Sequence, residues 1–147
     1  MTKVCIASDH RGIKTKDMVI KYLTKKNYEV IDFGPNTEAS VDYPIYAKKV
    51  GYAVVNGEAD YGILICATGI GMSMACNRIK GARCARVCTP YDAKWTRFDN
   101  DANIISFSAT LRKYKIYDIL DTFFSTEASN EERHVRRRRM LDEDWHG

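Results

Sequence analysis

The run Tyr61-Gly62-Ile63-Leu64-Ile65-Cys66 passes without a break into Ala67-Thr68-Gly69-Ile70-Gly71-Met72-Ser73. An apolar run without alternation, closing on Gly-X-Gly, predicts a buried strand that turns at once into a helix. Strands buried on both faces belong to parallel sheets with helices above and below. The Cys66 thiol then stands at the carboxyl end of a central strand, beside free backbone N–H groups. In open α/β sheets, ligands bind at that edge.

The same alternation runs through the chain. Lys3–Ser8 predicts a first strand and Ile13–Lys26 a helix with Met18, Val19, Tyr22 and Leu23 at core spacing. Tyr28–Phe33 follows as a strand, closed by the turn residues Gly34-Pro35-Asn36. Pro44–Val55 is helical, with Pro44 suited to a first turn. After the Tyr61–Cys66 strand come a helix over Ile70–Arg78, a strand over Arg83–Cys88 and a short helix over Tyr91–Arg97. Asn103–Phe107 is the fifth strand, with helices over Arg112–Phe124 and Asn130–Leu141. Five short strands separated by helices predict βαβ units and an α/β fold with a five-stranded parallel sheet. A flavodoxin-like order would make the first and third strands neighbours. No linker or repeat divides residues 1–147, which predicts a single domain.

Charge narrows the partners. The net charge of +4 is spread thinly, because the arginine-rich segment 131–147 carries five Arg and five carboxylates. Nucleic-acid binding needs a concentrated basic face, so no nucleic-acid partner is expected. No apolar run approaches a membrane span, and Met1-Thr2-Lys3-Val4-Cys5-Ile6 enters a strand directly, so neither membrane nor leader peptide is expected. Five cysteines without a Cys-X-X-Cys pair argue against zinc and against a disulfide framework, and point to a reducing, cytoplasmic compartment.

Polar groups cluster where strands end or begin. Ser8-Asp9-His10-Arg11-Gly12 follows the first strand, Cys66 and Thr68 end the third, and Asp99-Asn100-Asp101-Ala102-Asn103 precedes the fifth. All three groups are expected at one sheet edge. Each residue has a plain alternative. Cys66 is a base or nucleophile, or a small buried thiol. Asp9 lines a crevice or caps the next helix. His10 and Thr68 serve a ligand or the surface and turn they occupy. Asp99 and Asn100 serve chemistry or a turn. The arginines from Arg136 to Arg139 serve an anion or a solvated helix face. Together, a thiol, a carboxylate, an imidazole and converging N–H groups suit proton transfer beside a carbonyl, with the N–H groups holding the enediolate oxygen.

The stretches Ser8-Asp9-His10, Asp42-Tyr43-Pro44, Gly62–Ser73, Asn100-Asp101-Ala102-Asn103 and Arg133-His134-Val135-Arg136-Arg137 resemble ribose-5-phosphate isomerase of type B. That family also holds galactose-6-phosphate isomerase subunits. The resemblance spans residues 3 to about 139 and implies a Rossmann-like, three-layer domain. It implies a homodimer, in some members paired into tetramers, with active sites at the subunit interface. The very polar last helix is then expected to reach the partner subunit. The implied reaction interconverts an aldose phosphate and a ketose phosphate, with neither metal nor organic cofactor.

By position, the resemblance makes Cys66 the base between C1 and C2. Thr68 and the N–H groups of Gly69, Gly71, Met72 and Ser73 hold the enediolate. Asp9 and Asn100 contact the sugar. His10, Arg133 and Arg137 bind the phosphate, some of them across the interface. Three positions depart from the family. Ala67 stands where Gly is usual. Asp99 stands where a ring-opening His is common, and its carboxyl, ordinarily near pKa 3.9, needs raising to act as an acid. Thr110 stands where an Arg often follows the fifth strand, with Arg112 two residues on. The expected substrate is ribose 5-phosphate. The rivals are a hexose 6-phosphate such as allose or galactose phosphate, with Ala67 and Phe98 setting pocket depth, and a catalytically silent sugar-phosphate-binding module.

Overall fold

The computed structural model describes residues 1–145. Its strands are β1 (Lys3–Ser8), β2 (Glu29–Asp32), β3 (Tyr61–Cys66), β4 (Cys84–Arg86) and β5 (Ile104–Ser108). Its helices are α1 (Ile13–Lys25), α2 (Tyr43–Val55), α3 (Ile70–Cys76), α4 (Pro90–Asn100), α5 (Lys113–Ser125) and α6 (Glu132–Asp142). All five strands pair in parallel, in the order β2-β1-β3-β5-β4. Val4, Ile6, Ile63, Ile65, Ile105 and Phe107 face one core, with Val19, Leu23, Ile116 and Phe123 from α1 and α5. Cys5, Ala7, Leu64 and Cys66 face the other, with Ala47, Val50, Met72 and Cys76 from α2 and α3. This is the predicted three-layer α/β fold, each strand alternating its side chains between two buried faces.

The strand order departs from the flavodoxin-like expectation at one place. β1 and β3 are neighbours as expected, but β5, not β4, lies beside β3. Burial explains the exchange. Ile104, Ile105, Ser106 and Phe107 are all buried, as an interior strand requires. β4 is three residues long and ends on exposed Arg86, which suits an edge.

α4 is longer than the sequence predicts. It runs to Asn100 and takes Asp99 and Asn100 out of the expected turn. Arg97 holds its last turn through Asp101 Oδ1 at 2.6 Å and the Ala102 carbonyl at 2.9 Å, and Asp101 closes it in the left-handed region. A helix joining parallel strands runs back against them, so α4 ends at the amino edge of the sheet. The Gly62 N–H donates to the Asn103 carbonyl at 3.0 Å, at the start of β3. Cys66 lies four residues further along, about 13 Å at 3.3 Å per residue. Within one chain, then, Asp99 and Asn100 do not share an edge with Cys66. The expectation of one common edge is corrected: residues before a strand sit at its amino end.

α6 packs on its own chain. Arg138 donates to the Asp99 and Phe98 carbonyls at 3.1 and 2.9 Å, and Arg83 pairs with Asp142 at 2.8 Å. No described helix is long and apolar enough to cross a membrane.

Candidate active site

The carboxyl ends of β1, β3 and β5 build the site. Gly12 lets the turn after β1 lie on β3, since a Cβ there would stand 2.8 Å from the Ile65 carbonyl oxygen. The Asp9 N–H donates to that same carbonyl at 3.0 Å, which fixes Asp9 beside the strand that ends in Cys66. Asp9 Oδ1 accepts from the N–H groups of Arg11 and Gly12 at 2.9 and 3.0 Å. One carboxylate oxygen thus braces the turn. Lys16, fully buried, binds Asp32 Oδ1 at 2.8 Å and the Pro35 carbonyl at 2.9 Å, which pins the loop after β2. The Gly34 carbonyl of that loop accepts from the Ser8 N–H at 3.0 Å.

Cys66 is 6% exposed, and its sulfur accepts the Gly69 N–H at 3.1 Å. Gly69 has φ +78°, and a Cβ there would lie 2.8 Å from Phe107 Cα, so glycine is required on both counts. Thr68 Oγ1 accepts the Ile70 N–H at 3.1 Å, which leaves its own hydroxyl proton free to donate. The Gly69 N–H of the expected anion hole and the neighbouring Ile70 N–H are therefore spoken for, by sulfur and by Thr68. Gly71 and Met72 lie in the first turn of α3, where N–H groups have no carbonyl four residues back within the helix. Ser73 Oγ turns away and donates to the Ile70 carbonyl at 2.7 Å.

His10 carries an unusual signal. Its Nδ1 and Ser8 Oγ are the buried side-chain polar atoms without a hydrogen-bond partner among the described residues. Buried polar atoms are nearly always paired, so this orphan next to Asp9 sets His10, with Ser8, apart from the other buried polar side chains described.

The remaining predicted residues gather elsewhere. Asp99, Asn100, His134, Arg137 and Arg138 line a cleft of about 270 Å³ between α4 and α6. His134 sits 3.8 Å from Asp99 Oδ1 through Nε2 and 2.8 Å from Ser129 Oγ through Nδ1. Arg133 pairs with Glu131 at 2.8 Å on the exposed side. Phe98 stacks edge-on against Trp95 and His134. Arg112 only opens α5, its carbonyl accepting the Ile116 N–H. Thr110 lies beside the Cys66 loop, its hydroxyl 2.6 Å from Ser108 Oγ.

Two groups near Cys66 escaped the sequence reading. Ser106 and Ser108 of β5 bind the Gly69 and Ala67 carbonyls, each at 2.6 Å. They were invisible without the strand order, which sets Ser108 opposite Cys66. Tyr43 packs its ring where a Cβ on Gly71 would come within 2.9 Å. The Asp42-Tyr43-Pro44 stretch was its signal.

A family model described as Ribose/Galactose Isomerase matches residues 4–141. Ribose-5-phosphate isomerase B of Escherichia coli (strain K12) is 40% identical over 109 residues, 74% of this chain and 73% of that protein. A ribose 5-phosphate isomerase of Thermotoga maritima superposes with a TM-score of 0.93 at 44% identity, covering 97% and 99% of the two chains. Ribose-5-phosphate isomerase B of Clostridium thermocellum gives 0.92 at 40% identity, covering 96% and 95%.

Proposed function

This chain belongs to the ribose/galactose isomerase family and is a sugar-phosphate isomerase, and from that premise we propose that it interconverts ribose 5-phosphate and ribulose 5-phosphate with Cys66 as the base. The supporting observation is the thiol itself. It ends a central strand, nearly buried, with a backbone N–H on its sulfur.

In this reading the Cys66 thiolate takes the proton from C2 of the open-chain aldose. The C–H electron pair becomes the C1=C2 double bond, and the carbonyl electrons move onto O1. The Thr68 hydroxyl and the Gly71 and Met72 N–H groups stabilise that oxyanion as charge develops. Cys66 returns its proton to C1, the C2 hydroxyl proton passes to O1, and a ketone stands at C2. Asp9, with one oxygen bracing its turn, holds the sugar. His10, which follows Asp9 in the turn after β1, binds the phosphate.

Asn100, Arg133, Arg137 and Asp99 cannot serve the same chain's Cys66 from the amino edge of the sheet. They complete the site of a second subunit, so the working unit is a homodimer. Exposed Tyr91 and Trp95 on α4 and Leu141 on α6 are the apolar surface that a second copy would cover. Turnover of ribose 5-phosphate measured against allose and galactose 6-phosphates tests the substrate. The pentose should win by at least about tenfold in kcat/KM, or about 1.4 kcal/mol of transition-state binding. Preference for a six-carbon phosphate would overturn the assignment.

A further inference from the structure

Three consecutive peptides after Cys66 have their carbonyls held from the β4–β5 side. Ser108 Oγ donates to the Ala67 carbonyl at 2.6 Å, Arg86 Nε to Thr68 at 3.0 Å, and Ser106 Oγ to Gly69 at 2.6 Å. A trans peptide points its C=O and N–H in opposite directions. Holding a carbonyl on one side therefore aims the following N–H to the other. The Thr68–Gly69 peptide displays both ends: Arg86 grips its oxygen while its N–H reaches Cys66 Sγ at 3.1 Å. The Gly69–Ile70 peptide does the same, with Ser106 on its oxygen and its N–H on Thr68 Oγ1 at 3.1 Å.

We propose that Arg86, Ser106 and Ser108 are positioning residues that aim the loop amides at the reacting thiol and at Thr68. This rests on the isomerase reading above. Arg86 brings a cation to the peptide oxygen, and a charge-assisted bond is the stronger kind and polarises the N–H on the far side. Ser108 has one proton and spends it on Ala67, so Thr110 donates to Ser108 and locks the strap. Thr110, where the related family often has Arg, is thereby part of this chain's own solution for holding the loop. Ser106 is fully buried, so nothing replaces its hydroxyl when it is lost, whereas water can partly replace the exposed Arg86.

The test uses Arg86→Ala, Arg86→Lys and Ser106→Ala in the full chain, with kcat expressed per folded protein. Removing an oxyanion-hole donor outright costs about 10²–10³-fold, and loosening its aim should cost about tenfold. The expected result is a drop of about tenfold in kcat for Ser106→Ala and a smaller one for Arg86→Ala, with KM within about twofold in both. Arg86→Lys should recover most of the loss. A purely structural role would lower the melting temperature and leave kcat of the folded fraction unchanged. Ser106→Ala could fold poorly, but surface-placed Arg86→Ala will not, so unchanged kcat in Arg86→Ala overturns the proposal. Alkylation of Cys66 by iodoacetamide at neutral pH, followed by peptide mass, needs no substrate. It should slow several-fold in Arg86→Ala, and an unchanged rate also overturns the proposal. If instead the unaltered protein turns over no sugar phosphate, the isomerase reading fails while the alkylation result still decides the strap.

Discussion

Cys66 and Cys5 lie on neighbouring strands and face the same core, one at the end of its strand and the other in the middle. Cys66 ends its strand at the site edge with a donor on its sulfur, so Cys66→Ala should fold normally and lose its isomerase activity. General-base removal costs about 10²–10⁴-fold, measurable as kcat with ribose 5-phosphate, and a variant keeping most of its kcat would remove Cys66 from the mechanism. Cys5 is sealed in the middle of β1, and burial pushes its thiol up to about 12 from an ordinary 9.0. Cys84 moves the same way, chiefly because its thiol bonds to Cys76, with burial adding to it. The unfolded chain therefore gives up these protons first. The stability Cys5 contributes is complete below about pH 9 and is lost as the pH climbs toward about 12, and Cys84 adds a loss of the same sign. Melting temperatures taken from about pH 8 to about pH 10.5 should fall, and Cys5→Ala should fall less steeply over that range. An identical slope in the variant would show that other groups carry the alkaline loss.

At the scale of elements, the informative pair is α4 and α6. α6 has a polar sequence with four consecutive arginines, and its chemistry alone suggests a helix with nowhere to dock. His134 and Arg138 supply the dock, one against Phe98, the other on the last carbonyls of α4. Those carbonyls are the orphans any helix leaves at its end, and a guanidinium is a fitting cap. Arg138→Ala should free α6 and speed amide exchange along it by about tenfold, the equivalent of 1.4 kcal/mol. Arg139→Ala, on the exposed side, should leave exchange and activity unchanged. Equal exchange in the two variants would mean that His134 and the Arg83–Asp142 pair hold the helix alone. Arg137 shares the cleft with Asp99 and Asn100, so Arg137→Ala should raise KM while leaving α6 docked.

At the scale of the whole molecule, the Cys66 loop and the α4–α6 cleft lie at opposite edges of one sheet, and the proposed function makes them halves of sites shared by two subunits. A shared site makes a sharp prediction. Cys66→Ala subunits, nearly inactive, and Arg137→Ala subunits, weak at substrate concentrations below their raised KM, should regain activity at those concentrations when mixed and allowed to exchange. One site of the hybrid then has both residues intact and the other has neither. Absence of recovery after verified exchange would confine the chemistry to one chain. Local sequence is enough for the α/β class, the parallel sheet and the thiol at the end of β3, because these follow from unalternating apolar runs, helical spacing and a Gly-X-Gly turn. It also marked Asp9, His10 and Thr68, which sit within a few residues of strand ends. Tertiary structure decided the rest. β5 displaced β4 beside β3 because an interior strand needs two apolar faces, and only that exchange brings Ser106 and Ser108 under the Cys66 loop. Asp99 and Asn100 went to the far edge because a helix returning between parallel strands carries its last residues to the sheet's amino end. Neither outcome is written in any local run of residues, since each depends on which strand pairs with which.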